Sequence, residues 1–215
     1  MRAIIFANGI MTRWPDNLEI SADKDMLIAA DGGLKHCLKW SINPQLIVGD
    51  MDSADPADLE VFEANGARIK RFPVKKDKTD LWLAVQEALN ARVDEIVILG
   101  ALGARWDMTF SNVLILVSPE LQNIETRILD ENQEIFVLQG GQKAKLFGQK
   151  GDLLSLLPLT AIVKGVALAG FEYPLDDENL YLGTTRGISN VFMEKVGRIE
   201  LQKGKLLVTI AHGKA

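Results

Sequence analysis

Two aspartates separated by one residue lie in the segment Gly49–Ser53, directly after the apolar run Leu46–Val48. In an extended stretch, side chains two positions apart point the same way, so Asp50 and Asp52 would share one face and Met51 would oppose them. Two carboxylates held side by side repel each other unless a positive charge lies between them. Because Mg²⁺ is usually bound by one or two carboxylates together with substrate phosphates, the pair indicates a metal site.

A turn explains the same two aspartates equally well. Asp50 could cap its own backbone, and Asp52 could cap a helix that begins near Pro56. The pair alone therefore does not distinguish a metal site from a turn, and further carboxylates are needed as evidence. Four further aspartates occupy comparable positions after apolar runs: Asp31, Asp77, Asp80 and Asp107. Each has its own local alternative, such as a turn at Asp31 or a favourable helix dipole at Asp80, but six coincidences at one edge favour a single site.

The elements that must position these carboxylates alternate along the first half of the chain. Five apolar, strand-like runs end in polar residues: Ile4–Ala7, Met26–Ala30, Leu46–Val48, Ile69–Phe72 and Ile96–Leu99. Helical patterns lie between and after them: Gly33–Trp40, Pro56–Asn65, Thr79–Ala91 and Asp107–Val117. Strands that alternate with helices predict a mostly parallel sheet. Ligands of such sheets bind outside the carboxyl ends of the strands, so we expect the polar residues to meet in one crevice.

Basic residues accompany the carboxylates in the same predicted crevice. They are Lys75, Lys76, Lys78 and Arg105. A polyphosphate would require such positive charge, although surface lysines are most often only solvated. The segment from Gly100 to Gly103 follows a strand and could bring backbone close to phosphate, but its spacing alone is weak support.

The pattern changes near residue 125, where the helical period disappears. Short runs rich in branched residues follow, separated by glycine-containing turns, and they predict an antiparallel β unit. In Arg198–Ile210, apolar residues alternate on both sides of Lys203-Gly204, which predicts a hairpin. We therefore expect an α/β catalytic domain over residues 1–124 and a β-sandwich-like domain over residues 125–215.

Composition limits the class of protein. The chain has 215 residues, of which 47% are hydrophobic, and a formal net charge of −5. The acidic balance argues against nucleic-acid and membrane-surface partners. A single cysteine and the absence of a long apolar segment predict a soluble cytoplasmic protein without disulfides.

Several common catalytic motifs are absent from the sequence. It contains no G-x-x-x-x-G-K-[ST], no G-x-G-x-x-G after a strand and no G-x-S-x-G. Its two histidines are His36 and His212, and His36 next to Cys37 on a helix would point elsewhere. A Cys-His nucleophile and a histidine-built zinc site are therefore not expected, and Cys37 is predicted to be packed.

Six motifs in order resemble those of the thiamine pyrophosphokinase family. They are Ala30–Gly33, Val48–Ser53, Lys76–Asp80, Gly100–Asp107 with Asn112, Gly170–Leu175 and Thr185–Asn190. The resemblance implies an N-terminal Rossmann-like α/β domain, a C-terminal β-sandwich-like domain and a homodimer whose active sites lie between subunits. It also implies Mg²⁺-dependent transfer of a pyrophosphoryl group from ATP to the hydroxyl of thiamine, which yields thiamine diphosphate and AMP.

The same resemblance implies roles for individual residues. The expected metal ligands are Asp31, Asp50 and Asp52. The expected catalytic residues around the transferring group are Asp31, Asp77 and Asp80. The expected nucleotide-binding residues are Lys76, Gly103, Arg105, Asp107 and Asn112. The expected thiamine-binding residues are Tyr173, Thr185, Ser189 and Asn190, with the aromatic ring against a cationic heterocycle.

The sequence departs from the family pattern at two positions. The family commonly has Gly-Gly-Arg-x-Asp-His where this chain has Gly103–Met108, so Met108 replaces a histidine and Ala104 replaces a glycine. Methionine cannot carry a proton, and alanine matters only if its position requires a positive φ. We interpret the loss of the histidine as tuning rather than inactivation.

Two other functions use parts of the same pattern. A metal-dependent nucleotide pyrophosphohydrolase would use the acidic edge to activate water. A degenerate binding protein would sense thiamine or nucleotide without turnover. The predicted acceptor pocket at Tyr173 and Gly187–Asn190 argues against the hydrolase, and the complete acidic set argues against the sensor.

Overall fold

The computed structural model describes residues 1–16, 18–21, 23–52, 54–103 and 105–213. The chain forms two compact units, Met1–Glu131 and Asn132–Ala215. The sequence pattern changes at residue 125, where the last strand of the first unit begins. An α/β unit followed by a β unit is the fold class that the sequence predicts.

The first unit is built on six parallel strands. They are β1 (Arg2–Phe6), β2 (Asp25–Ala30), β3 (Leu46–Gly49), β4 (Arg68–Arg71), β5 (Glu95–Leu99) and β6 (Glu125–Asp130). Their order in space is β6-β5-β1-β2-β3-β4. The chain runs outward from β1 to β4 and then returns to the other side of β1, so the strand order reverses between β1 and β5. Ligand crevices of open α/β sheets form at such a reversal.

Four helices accompany the parallel sheet, as the sequence predicts. They are α1 (Leu34–Lys39), α2 (Pro56–Ala64), α3 (Asp80–Asn90) and α4 (Trp106–Ile115). Two of them begin at side-chain caps: Asp55 accepts from the Ala57 N–H at 2.9 Å, and Thr79 accepts from the Trp82 N–H at 3.2 Å. Ala84 and Val85 of α3 are fully buried, and the helix packs against β1, β2 and β3. This packing fixes Asp80, the first residue of α3, at the end of the sheet.

The second unit consists of two antiparallel sheets. Its strands are β7 (Gln133–Gln139), β8 (Lys143–Phe147), β9 (Leu153–Pro158), β10 (Ile162–Ala169), β11 (Leu175–Tyr181), β12 (Asn190–Val191), β13 (Val196–Glu200) and β14 (Lys205–Ala211). One sheet has the order β12-β9-β14-β7 and the other has the order β11-β10-β13-β8. Leu154 and Val208 of the first sheet share a core with Val163 and Ile199 of the second. The expected sandwich-like arrangement is present.

The prediction of a hairpin over Arg198–Ile210 is wrong, because its two strands do not pair with each other. β13 pairs with β8 and β10, whereas β14 pairs with β7 and β9 in the other sheet. The connection at Lys203-Gly204 therefore crosses between sheets. Alternation of apolar residues identifies the buried face of a strand but not its partner, and both strands bury that face in the same core.

Candidate functional site

A cleft of about 520 Å³ opens at the carboxyl ends of the parallel strands. Its walls include the segments that follow β1 and β5, which are joined by hydrogen bonds from the Gly9 N–H to the Gly100 carbonyl at 2.6 Å and from the Ile10 N–H to the Leu102 carbonyl at 2.7 Å. A Cβ at Gly9 would lie 2.2 Å from the Leu102 carbonyl oxygen. Only glycine permits this approach, so the two loops form one wall at the point where the strand order reverses.

Three of the predicted carboxylates meet beside this cleft. Asp31, Asp50 and Asp52 each offer an oxygen that lies within 4.8 Å of the other two. Asp31 is buried, and its Oδ1 has no hydrogen-bond partner among the described residues. Burying an unpartnered carboxylate oxygen is costly. A cation bound at the three carboxylates would offset both that cost and their mutual repulsion.

The backbone brings Asp50 and Asp52 together by a turn and not by an extended strand. β3 ends at Gly49, and Met51 has a φ of +65°. Met51 packs in the hydrophobic core while Asp50 and Asp52 lie near each other, but the assumption of an extended stretch was wrong. Ser53 lies outside the described residues.

The alternative interpretation, in which both aspartates act as caps, is correct for Asp50 and wrong for Asp52. The Asp52 N–H donates to Asp50 Oδ1 at 3.3 Å, so Asp50 does cap the turn. The cap of α2 is Asp55 and not Asp52. The turn and the carboxylate cluster therefore coexist.

Lys76 lies between two of the carboxylates of the cleft. Its Nζ is 3.1 Å from Asp50 Oδ2 and 2.9 Å from Asp80 Oδ1. Burial alone would lower the pKa of Lys76, but the two carboxylates outweigh that effect and raise it. The hydrogen bond from Lys76 lowers the pKa of Asp50, with a smaller contribution from the Asp52 backbone. Lys76 thus stabilises the ionised form of Asp50 and supplies positive charge at the cleft.

The start of α4 forms another part of the cleft rim. Arg105 and Asp107 make an exposed ion pair at 2.6 Å, which raises the pKa of Arg105 and lowers that of Asp107. The Gly103 N–H donates a hydrogen bond to Thr109 Oγ1 at 3.0 Å, which fixes the backbone at Gly103. Asn112 is buried, and its Nδ2 donates to the Ala101 carbonyl at 2.7 Å. Because this bond fixes the amide, Asn112 Oδ1 is an acceptor, and it has no partner among the described residues.

The predicted site residues of the first unit divide into two groups. Those that line the cleft are Asp31, Asp50, Lys76, Asp80, Gly103, Arg105 and Asn112. Asp52 adjoins the lining through Asp31 and Asp50, and Asp107 through Arg105. Asp77 is exposed and does not line the cleft. Met108 lines it, whereas Ala104 lies outside the described residues, so the consequence of its methyl group stays a prediction.

Sequence reasoning did not find Lys35 of α1, which also lines the cleft. Its Nζ donates to the Asn8 backbone carbonyl at 2.9 Å and to Asn8 Oδ1 at 2.7 Å. Partial burial lowers the pKa of Lys35. Its spacing from Asp31 was no signal, because Asp31 precedes α1 and has a φ of +43°, so the two side chains do not share a helical face.

His36 and Cys37 form no nucleophilic pair. Cys37 is fully buried, and burial raises the pKa of its thiol to about 12, so the thiolate is not available as a nucleophile. His36 Nε2 lies 3.1 Å from the Gly9 carbonyl oxygen and supports the cleft wall. Cys37 is packed, as the sequence predicts, and the contact of His36 with the Gly9 carbonyl is a structural one.

The residues predicted to bind thiamine, from Tyr173 to Asn190, lie in the second unit. Tyr173 is 63% exposed. Asn190 is buried, accepts from the Tyr173 N–H at 3.0 Å and from the Val191 N–H at 2.9 Å, and donates to the Tyr173 carbonyl at 2.7 Å. Its amide therefore holds the Tyr173 backbone, which leaves little capacity for a ligand.

The other two predicted thiamine residues lie near Asn190 in sequence. Ser189 has a φ of +57°, and its N–H donates to Ser155 Oγ at 3.0 Å. Thr185 is exposed, and its carbonyl accepts from the Ile188 N–H at 3.3 Å. The backbone of this segment is thus fixed locally, while contact with thiamine stays a prediction.

No helix in the described part of the chain is long and apolar enough to cross a membrane.

Comparisons with known proteins agree with the fold and the motifs. Residues 18–128 match the family model "Thiamin pyrophosphokinase, catalytic domain", and residues 141–206 match "Thiamin pyrophosphokinase, vitamin B1 binding domain". The thiamine pyrophosphokinase of Bacillus subtilis is 28% identical over 204 residues, which cover 95% of each chain.

Solved structures give the same result. The crystal structure of the Bacillus subtilis thiamine pyrophosphokinase superposes with a TM-score of 0.88 at 27% identity, covering 99% of this chain and 100% of that one. A thiamin pyrophosphokinase family protein from Enterococcus faecalis superposes with a TM-score of 0.87 at 27% identity, covering 100% of both chains. With both family models matched in order, the chain belongs to the thiamin pyrophosphokinase family and is an enzyme.

Proposed function

We propose that the protein transfers the pyrophosphoryl group of ATP to the hydroxyl of thiamine in a Mg²⁺-dependent reaction, with thiamine diphosphate and AMP as products. The observation that carries the proposal is Asp31 Oδ1, which is buried in the carboxylate cluster of the cleft without a hydrogen-bond partner among the described residues. Clustered carboxylate oxygens are the donor set that Mg²⁺ prefers in phosphate-transferring sites. Family membership supplies the substrate class.

The metal ligands in this proposal are Asp31, Asp50 and Asp52. When bound, Mg²⁺ supplies charge neutralisation and alignment for the phosphates of the nucleotide. The buried position of Asp31 and the turn at Met51 hold these oxygens in place before substrate arrives. A site that is organised in advance suits a reaction that depends almost wholly on positioning and electrostatics.

Asp80 is the carboxylate best placed to act on the thiamine hydroxyl. It lines the cleft, begins α3 and is held by Lys76 at 2.9 Å. In the proposed step the hydroxyl oxygen forms a bond to the β-phosphorus, the bond from that phosphorus to the α-phosphate oxygen breaks, and AMP leaves. Asp80 orients the hydroxyl and accepts its proton. Asp77 is exposed, so we assign it to the mouth of the site.

Thiamine is proposed to bind through Tyr173, with Thr185 and Ser189 beside it and Asn190 as support. The exposed aromatic ring offers a π-face to the cationic heterocycle of thiamine. Arg105, Asp107, Gly103, Lys76 and Asn112 are proposed to serve the nucleotide.

The proposal includes a cytoplasmic homodimer with active sites between subunits. The structure supports only a protein–protein contact, through exposed apolar surface on α4, where Trp106 and Phe110 are 75% and 52% exposed and their ring centroids lie 6.0 Å apart. Large exposed aromatic pairs are typical of interaction surfaces.

Product analysis tests the proposed function. The protein is incubated with ATP, Mg²⁺ and thiamine, and the products are separated by chromatography, with EDTA and thiamine-free reactions as controls. We expect AMP and thiamine diphosphate in equal amounts and neither in EDTA. ADP with thiamine monophosphate would contradict the proposal. AMP formed without thiamine would identify a pyrophosphohydrolase, and binding without turnover would identify a sensor.

A further inference from the structure

The cleft contains four positively charged side chains, and two of them are already paired with carboxylates. The four are Lys35, Lys76, Lys78 and Arg105. Lys76 contacts Asp50 and Asp80, and Arg105 contacts Asp107. The charges of Lys76 and Arg105 are therefore largely balanced within the protein.

Among the described residues, Lys35 donates only to neutral acceptors. Its ammonium donates to two oxygens of Asn8, a backbone carbonyl and a side-chain amide. An ammonium has three donors, so one remains for a ligand. Lys78 is similar in that it donates to Gln86 Oε1 at 2.9 Å, but it belongs to a segment already assigned to the site.

The position of Lys35 is fixed next to the carboxylate cluster. A Cβ on Gly32 would lie 2.4 Å from Asn8 Nδ2, so the Asn8 side chain rests directly on the residue that follows Asp31. Lys35 is bound to that same side chain. Lys35 lines the same cleft as Asp31 and Asp50, so its ammonium is available to a phosphate group bound in that cleft.

We propose that Lys35 is a phosphate-binding residue of the cleft and contacts the polyphosphate chain of the donor nucleotide. This inference rests on the proposed function. A nucleoside triphosphate carries more negative charge than one divalent ion neutralises, and Lys35 offers unbalanced positive charge. Asn8 orients its ammonium, so less side-chain freedom is lost when phosphate binds.

Binding measurements with the full-length protein test this inference in the absence of thiamine. Lys35→Met keeps most of the side-chain length and removes the charge. We expect at least about a tenfold weaker affinity for MgATP and for Mg-tripolyphosphate by calorimetry, as for the loss of one charged hydrogen bond. Adenosine binding, followed by saturation-transfer NMR, should be unchanged because adenosine has no phosphate. Lys35→Arg should retain most of the affinity.

Lys39→Met is the matched control. Lys39 lies on the same helix and also donates to loop carbonyls, of Met11 at 3.2 Å and Thr12 at 2.8 Å, but it does not line the cleft. We expect it to bind MgATP as the wild type does.

Unchanged MgATP affinity of Lys35→Met would overturn the inference. So would an equal loss of adenosine and MgATP, because Lys35 would then only hold the loop. If the wild type itself does not bind MgATP, that result contradicts the proposed function, and the inference about Lys35 is overturned with it.

Discussion

The Lys76 ammonium lies 3.1 Å from the Asp50 carboxylate, and this ion pair places a positive charge inside the carboxylate cluster. Lys76 also contacts Asp80, so one cation joins a predicted metal ligand to the residue proposed to orient thiamine. The cleft therefore contains part of its own charge compensation. A divalent metal would add to this compensation at Asp31, Asp50 and Asp52.

Lys76→Met should make the metal-free protein less stable. Without the ammonium, Asp50 and Asp80 lose their shared cation, and repulsion among Asp31, Asp50 and Asp52 is less well balanced. We expect a lower melting temperature in EDTA and a larger increase on addition of Mg²⁺ than in the wild type, because metal binding then relieves more repulsion. Differential scanning calorimetry measures both values.

Lys75→Met is the control for this substitution, since Lys75 is exposed and does not line the cleft. A Lys76→Met protein that melts like the wild type in EDTA and gains no more from Mg²⁺ would show that Lys76 does not balance the cluster.

Asp52→Asn should lower turnover by roughly a hundredfold or more, because it removes one metal ligand from a reaction that depends on charge stabilisation. Stability of the metal-free protein should stay the same or increase, because neutralising one of three clustered carboxylates relieves repulsion. Steady-state kinetics at saturating Mg²⁺, together with thermal melting in EDTA, check the two expectations.

Asp55→Asn is the control that distinguishes the loss of a helix cap from the loss of a metal ligand. Asp55 caps α2, and asparagine caps about as well as aspartate, so activity and stability should change little. Near-normal turnover of Asp52→Asn would refute the metal-site assignment.

Asn190→Ala should raise the KM for thiamine about tenfold and leave the KM for ATP unchanged. The substitution removes three hydrogen bonds, two of which hold the Tyr173 backbone, so the aromatic ring loses its fixed position. Asn190→Asp should cause no smaller change, because a buried carboxylate oxygen would then face the Tyr173 carbonyl oxygen with no donor between them.

Asn179→Ala provides a comparison within the same unit, since Asn179 is exposed and accepts only a 3.4 Å bond from the Gly165 N–H. Equal increases in both KM values for Asn190→Ala would indicate general loss of structure instead of a positioning role.

The pH dependence of stability should include a contribution from Asp25. Its carboxylate accepts from Arg2 at 3.0 and 2.7 Å and from the Ser21 N–H at 2.8 Å. Burial raises the pKa of Asp25, but these hydrogen bonds outweigh burial and place the pKa below its usual range. The stabilisation is therefore complete above the unfolded pKa of about 3.9 and is lost as pH falls through the lower folded pKa.

Asp25→Asn tests this contribution. We expect it to destabilise the protein by about 2 kcal/mol near neutral pH, because Arg2 loses its charged partner. Urea unfolding as a function of pH should show a constant difference from the wild type above about pH 5 and a shrinking difference below about pH 4. A difference that does not change down to acid pH would contradict the assignment.

The sequence predicted the first unit well because its signals are local. Apolar runs separated by helical patterns determine a parallel sheet, and carboxyl-end residues of such a sheet must meet. Asp31, Asp50 and Asp80 were found in this way. The turn at Met51 was missed, since a positive φ in a non-glycine residue leaves no clear signal in sequence.

The second unit was harder to predict because its pairings are not local. β11 has the sequence LDDENLY, and its polar residues are unusual in a strand. It forms an edge of its sheet, where exposed charge is tolerated. Lys35 was missed for another reason: its importance depends on Asn8, which is distant in sequence.

In the proposed reaction thiamine, and not water, attacks the β-phosphorus of ATP at the carboxylate cluster. The most direct test is a reaction with ATP, Mg²⁺ and thiamine in H₂¹⁸O, followed by mass spectrometry of the phosphorylated products. We predict thiamine diphosphate and AMP in equal amounts, both without ¹⁸O, because the new bond uses the hydroxyl oxygen of thiamine. Incorporation of ¹⁸O into AMP or into released pyrophosphate would mean that water is the nucleophile and that the protein is not a thiamine pyrophosphoryl transferase.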